Sequence, residues 1–169
     1  DEPAAEARVL ELLARGRIVG RRPELQQLRQ LWGRAMEGQG HLVLLSGEPG
    51  VGKTRLAREI VVVAQLNGAE VLHGGCYEYE ATTPYLPFVE ALRHWVHEQT
   101  PEVLRDRLGP LAPELARLAP EIEAKLGPLP PSPALPPQEE RLRLFDHVAR
   151  LFQGLARERG LLLVLDDLH

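Results

Sequence analysis

The chain has 169 residues, 44% of them hydrophobic and 26% charged, with a formal net charge of −4. That length suits one globular domain or most of one, and the balance excludes collagen-like, coiled-coil and wholly disordered chains. The longest apolar runs, 60–64 and 161–165, fall far short of the roughly 20 residues a membrane-spanning helix needs, and the negative net charge argues against direct nucleic-acid contact by this segment.

Asp1, Glu2 and Glu6 give an acidic opening, the reverse of a secretory signal, and the single cysteine, Cys76, can form no internal disulfide. Both features favour a reducing cytoplasm. The sequence begins at Asp1 rather than a methionine and stops at His169 just after an apolar run and two acids, so the expectation is a piece of a longer polypeptide. Residues 1–16 read as an N-terminal extension, with helical spacing over 5–15 closed by Gly16, and residues 17–169 as the N-terminal part of one α/β domain. Pro23 suits the first turn of a helix, and Leu25, Leu28, Leu31, Trp32, Ala35 and Met36 repeat every three or four residues up to Gly38.

His41 to Ser46 is a short apolar run flanked by glycines, which predicts a strand buried on both faces in a parallel sheet. Helix formers from Lys53 to Leu66 stop at Asn67 and Gly68, and Ala69 to His73 reads as a second strand, completing a strand–helix–strand unit with a right-handed crossover. Residues 101–137 hold ten of the fifteen prolines, so only short punctuated helices fit before an extended, partly polyproline connector over 127–137. The helical period returns from Gln138 through Leu142, Phe145, Val148 and Phe152 to a stop near Gly160, and Leu161 to Leu165 forms the last strand.

Gly47-Glu48-Pro49-Gly50-Val51-Gly52-Lys53-Thr54 carries the full phosphate-loop spacing between a predicted strand and a predicted helix. That context matters because successive backbone N–H groups and a helix N-terminus together make an anion cradle. Glycine at 47, 50 and 52 lets phosphate approach the backbone. Lys53 brings a point charge to β- and γ-phosphates, and the Thr54 hydroxyl is a magnesium ligand. Arg55, next along the helix, completes the set of nucleotide-contacting positions.

Leu161 to Leu165 runs into Asp166 and Asp167 at the carboxyl end of a strand, where ligands collect in parallel sheets. One reading is an ordinary acidic turn; beside an intact phosphate loop the other is that Asp166 orients magnesium and Asp167 acts as general base on the attacking water. Cys76 reads as a small packed residue rather than a reactive thiol. His94 and His97 lie three apart on a helix and read as surface or packing residues rather than metal ligands, and Arg141, Arg143, Arg150, Arg157 and Arg159 as a solvated helix face.

Ile18-Val19-Gly20-Arg21 with Pro23-Glu24-Leu25, the loop 47–54, Gly75-Cys76-Tyr77-Glu78, Pro84-Tyr85-Leu86-Pro87-Phe88 and Leu161 to His169 resemble the AAA+-related signal-transduction ATPases with numerous domains, the STAND ATPases. The resemblance spans most of 17–169 and points to the ATPase modules of large LuxR-type bacterial transcriptional regulators and of cyclase- or kinase-linked sensors. It implies a P-loop NTPase fold of the AAA+ type, a three-layer parallel sheet with flanking helices and strand order 5-1-4-3-2, in which 42–46, 70–74 and 161–165 are strands 1, 2 and 3. It also implies an ATP or ADP ligand with Mg2+, a base pocket shaped by Val19 and Gly20, and a nucleotide-dependent homo-oligomer. An output domain in the same longer polypeptide, DNA-binding in some relatives, is the partner it implies.

The resulting expectation is an ATP-binding, slowly hydrolysing regulatory module, with a non-hydrolysing nucleotide switch or a P-loop small-molecule kinase as alternatives. In the 5-1-4-3-2 order strand 1 lacks both neighbours within 1–169, and unpaired edges must find partners. A chain stopping at His169 is therefore expected not to behave as a stable monomer; a single monomeric peak in size exclusion together with a sharp cooperative melt is the contrary result.

Overall fold

The computed structural model describes residues 20–75 and 85–166. The predicted extension 1–16, with its helix over 5–15, and Val19, Cys76, Asp167 and His169 lie outside them. The fold is α/β, and the chain divides into two compact units, 1–69 and 70–169.

The first unit is a helix pair, α1 (Arg22–Met36) and α2 (Lys53–Leu66). Pro23 sits in the first turn of α1, and Leu28 and Trp32 bury its apolar stripe. On α2 Leu56, Ile60 and Ala64 repeat at spacings of four along the buried face, with Val61 and Val62 buried beside them. The Trp32 indole N–H donates to Asn67 Oδ1 at 2.9 Å, which fixes the end of α2 against α1 and satisfies a half-buried donor.

The predicted strand over 41–46 is a correction. Residues 41–47 form no ladder, and Leu42 and Leu44 are 89% and 78% exposed rather than buried on both faces. Apolar composition supplies a strand's side chains but not its hydrogen bonds, and among the described residues no neighbour provides them.

The second unit opens with β1 (Glu70–Gly75) and closes with β2 (Leu161–Asp166), paired in parallel with Glu70 opposite Leu161 and Gly75 opposite Asp166. This is the pairing the 5-1-4-3-2 order asks of strands 2 and 3, and among the described residues the sheet has these two strands alone. Between them come α3 (Leu86–Glu98), α4 (Pro101–Leu108), a 3-10 turn (Gly109–Leu111), α5 (Ala112–Leu115), α6 (Glu121–Leu126) and α7 (Pro137–Arg159). The core is Leu72 from β1, Leu92 and Trp95 from α3, Leu104 and Leu108 from α4, and Leu151 from α7.

The prolines punctuate as the sequence predicts. Pro101 starts α4 behind a Thr100 cap that accepts the Val103 N–H at 3.4 Å, Pro137 starts α7, and 127–136 is irregular. Leu129, Ser132 and Leu135 are half-buried while the prolines around them are exposed, the three-residue period of a polyproline helix with one edge seated. Lys125 on α6 donates to the carbonyls of Val96, His97 and Gln99 at 2.8–2.9 Å, closing the C-terminus of α3 where the macrodipole favours a cation.

Arg143 corrects the reading of an all-solvated arginine face. Its side chain is only 19% exposed and its guanidinium grips Glu114 of α5 at 2.8 and 3.2 Å. Arg117 bonds the same carboxylate at 3.0 Å and reaches on to Glu140 at 3.1 Å, so α5 is tied to α7 through Glu114, the buried polar residue of this core. Arg150, by contrast, pairs with Asp146 on the open surface, as predicted.

Burial alone would raise the Glu114 pKa, but the hydrogen bonds from Arg117 and Arg143 outweigh it and hold the carboxyl below its ordinary value. A depressed folded pKa contributes stability above the unfolded value that is lost as pH falls through the folded one. Glu114→Ala in the full-length protein is expected to destabilise this unit by about 3 kcal/mol at neutral pH, because it strands a half-buried Arg143. Thermal melts at descending acidic pH should show the variant's deficit shrinking; a deficit that stays constant into strong acid would mean that the ion cluster is not its cause.

Candidate functional site

The phosphate loop folds as a turn that feeds directly into α2. Val51 N–H closes the turn on Glu48 O at 3.4 Å, and Gly50 and Gly52 both take positive φ, 81° and 94°. Gly52 is the N-cap of α2 in the left-handed region, a conformation that costs other residues about 1–2 kcal/mol. Left-handed glycines alternating with ordinary residues are the backbone pattern that turns successive N–H groups toward one centre. Gly47, Glu48, Pro49, Gly50, Val51 and Gly52 are all exposed, as a loop that takes up a ligand must be.

Electrostatics at the head of α2 point the same way. The helix has no acidic residue in its first turn and no side chain capping its N-terminus, and Lys53 and Arg55 add two cations there. Cations at the positive end of a helix dipole are locally unfavourable, a cost that an anion would relieve. Lys53 folds back over the loop, its Nζ donating to Gly47 O at 2.9 Å and Glu48 O at 3.1 Å. Among the described residues no carboxylate pairs with it. Thr54 follows on the first turn with its side chain exposed.

Arg21 joins this end of the unit in a way that its sequence neighbourhood did not reveal. Its guanidinium pairs with Glu24 at 2.7 Å and also donates to Val51 O at 3.4 Å, tying the entrance of α1 to the loop across 30 positions. Gly20, just before it, is exposed with φ 83°. Of the two positions expected to border the base, Gly20 is thus placed at the head of α1, and Val19 lies outside the described residues.

The acids belong to the second unit. Asp166 is the last residue of β2, half-buried at the carboxyl end of the strand and in register with Gly75, while Asp167 lies outside the described residues. A Thr54 hydroxyl and an Asp166 carboxylate are hard oxygen donors, the kind magnesium accepts. Among the described residues no three His, Cys, Asp or Glu side chains gather as a metal cage. Magnesium needs none, since it draws most of its shell from water and phosphate. His94 and His97 are exposed on α3, and His94 faces Glu98 at 3.4 Å, a surface arrangement. No described helix is long and apolar enough to cross a membrane.

Residues 17–169 match the family model described as AAA ATPase domain. A stretch of 104 residues is 30% identical to an uncharacterised protein of Rhizobium meliloti (strain 1021), covering 62% of this chain and 9% of that protein, so the chain spans a small part of that relative's length. No solved structure matches the chain significantly.

A Cβ at Gly52 would meet nothing within 4 Å, so alanine there is strained through its backbone alone. Gly52→Ala is expected to lower the melting free energy by about 1–2 kcal/mol while weakening inorganic tripolyphosphate binding by well over the tenfold that such a change equals. Calorimetric titration beside a thermal melt separates the two effects. Unchanged tripolyphosphate affinity would remove the loop backbone from phosphate binding.

Proposed function

We propose, from the premise that the chain belongs to the AAA ATPase domain family, that it is an ATP-binding and slowly hydrolysing regulatory module. Its setting would be a larger bacterial signal-transduction or transcriptional regulator of the STAND type, such as the large LuxR-type proteins. The observation that carries the reading is the complete loop 47–54 running into the N-terminus of α2 with the Lys53 ammonium folded over it. A glycine turn that served only to join two elements would need neither the lysine nor the threonine at these offsets.

In this reading the N–H groups of the loop and of the first turn of α2 bind the phosphates. Lys53 leaves its two carbonyl partners to neutralise charge on the β- and γ-phosphates, and Thr54 and Asp166 hold Mg2+. When bound, Mg2+ supplies charge neutralisation and orientation of the phosphates. Asp167 takes the proton of the attacking water as general base. Val19 and Gly20 border the base, and Arg21 fixes that border to the loop through Val51 O. The γ-phosphate then biases the arrangement of domains, which an output domain elsewhere in the polypeptide reads, in some cases through a nucleotide-dependent homo-oligomer.

Lys53→Ala in the full-length protein is expected to weaken ATP binding by about a hundredfold, the loss of roughly two charge-assisted hydrogen bonds. Asp167→Asn is expected to abolish turnover and leave ATP affinity within a few-fold. Equilibrium titration and phosphate-release assays measure the two. ATP affinity untouched by Lys53→Ala overturns the site, and turnover undetectable in the unmutated protein, with binding intact, replaces the ATPase by a nucleotide-binding switch.

A further inference from the structure

Glu90 has no place in the phosphate-loop reading, yet it is wired to the strand end that carries Asp166. Pro87 and Glu90, three apart on α3, present one face of the helix to β1. At Pro87 the approach is backbone to backbone. A Cβ on Gly74 would fall 1.7 Å from Pro87 O and 2.6 Å from its carbonyl carbon, so only glycine lets the helix sit there. One turn later the Glu90 carboxylate accepts the Gly75 N–H at 3.0 Å in a half-buried hydrogen bond.

Gly75 is the last residue of β1 and stands opposite Asp166, the last of β2. A Cβ built on Gly75 would lie 3.9 Å from both Glu90 Oε2 and Asp166 O, which places the Glu90 carboxylate at the same row of the sheet. A strand end is where a ladder frays first, because its last groups lack a neighbour on one side. Here a side chain from α3 holds that end, and α3 itself is set by Tyr85, an aromatic N-cap held at φ 64° whose ring stands edge-on to Phe145 of α7 with centroids 4.7 Å apart. The carboxyl end of the sheet is therefore fixed from the helix layer rather than by the two strands alone.

We infer that Glu90 is a positioning residue for Asp166: by holding the Gly75 amide it keeps the carboxyl end of the β1–β2 pair in the register from which Asp166 meets the nucleotide-bound divalent cation. The inference rests on the reading that Asp166 serves Mg2+. It assigns Glu90 no contact with nucleotide, and so separates two quantities that a residue lining the phosphate site would move together: ATP affinity without the metal, and the gain in affinity that the metal brings.

The test is calorimetric titration of the full-length protein with ATP, in Mg2+ and in excess EDTA. Glu90→Ala is expected to lose about tenfold of the Mg2+-dependent gain, the scale of one hydrogen bond, with affinity in EDTA unchanged within about twofold. Glu90→Gln, whose amide oxygen still accepts the Gly75 N–H, is expected to retain the gain; a glutamine variant as impaired as alanine overturns the inference, as does a loss of equal size in EDTA. Hydrogen exchange in the unmutated protein gives a readout independent of any variant's folding. Protection over 70–75 is expected to rise when Mg2+ is added to the ATP complex, and no change counts against the proposal. Asp166→Asn distinguishes the two levels: if it leaves the Mg2+ gain intact, the underlying magnesium reading fails and this one with it, whereas if it removes the gain and Glu90→Ala does not, Glu90 alone is misassigned.

Discussion

The parallel pairing of Glu70–Gly75 with Leu161–Asp166 is the constraint on which the second unit depends. Pairing two strands from opposite ends of the unit closes a long loop, an entropic cost that burying the intervening helices against the pair offsets. Leu72 at the centre of β1 is fully buried, and α3 packs so closely on the same strand that Gly74 has no room for a side chain. The rest follows from that anchor. Lys125 closes α3, α4 and α6 pack beside it, and α7 returns the chain to β2 with Glu139 and Glu140 in its first turn and Arg157 and Arg159 in its last, each charge complementing the helix dipole.

Polar interactions in this unit act as fasteners between short helices that could not stand alone. Helices of four to eight residues are far below the length at which an isolated helix is stable in water, so α4, α5 and α6 exist through their packing. Glu114 shows how charge is used inside such packing. A lone buried carboxylate would be costly, but two guanidiniums, one from its own neighbourhood and one from α7, satisfy it and make the docking of α5 directional.

The first unit uses backbone conformation instead. Its helix pair is held by an apolar stripe and the Trp32–Asn67 hydrogen bond, while the phosphate loop is shaped by glycines at positive φ and by Lys53 and Arg21 bonding its carbonyls. The Lys53 contacts keep a cation beside the loop at little cost, since a carbonyl is a weaker partner than a carboxylate and yields more readily to phosphate. The N-terminus of α2 lacks a side-chain cap, as do those of α1, α3, α5, α6 and α7, so the glycine turn and the Lys53 contacts, not the missing cap, set this end apart.

Features confined to a few neighbouring residues were legible in the sequence. The span of α2 from Lys53 to Leu66, the start of α7 within one residue of the expected Gln138, the proline-punctuated helices and the loop 47–54 follow from side-chain period, fixed proline φ and glycine freedom, which act within one or two turns. Apart from the β1–β2 pairing, which the family resemblance implied, what depended on partners distant in the chain was not. The apolar run 41–46 has a strand's composition but no ladder, Arg143 left the solvated face for Glu114, and neither Arg21 on Val51 nor Glu90 on Gly75 has any local signature. A residue's own chemistry states what bond it can make, but only the packing of remote segments decides which donor and acceptor come within 3 Å of each other.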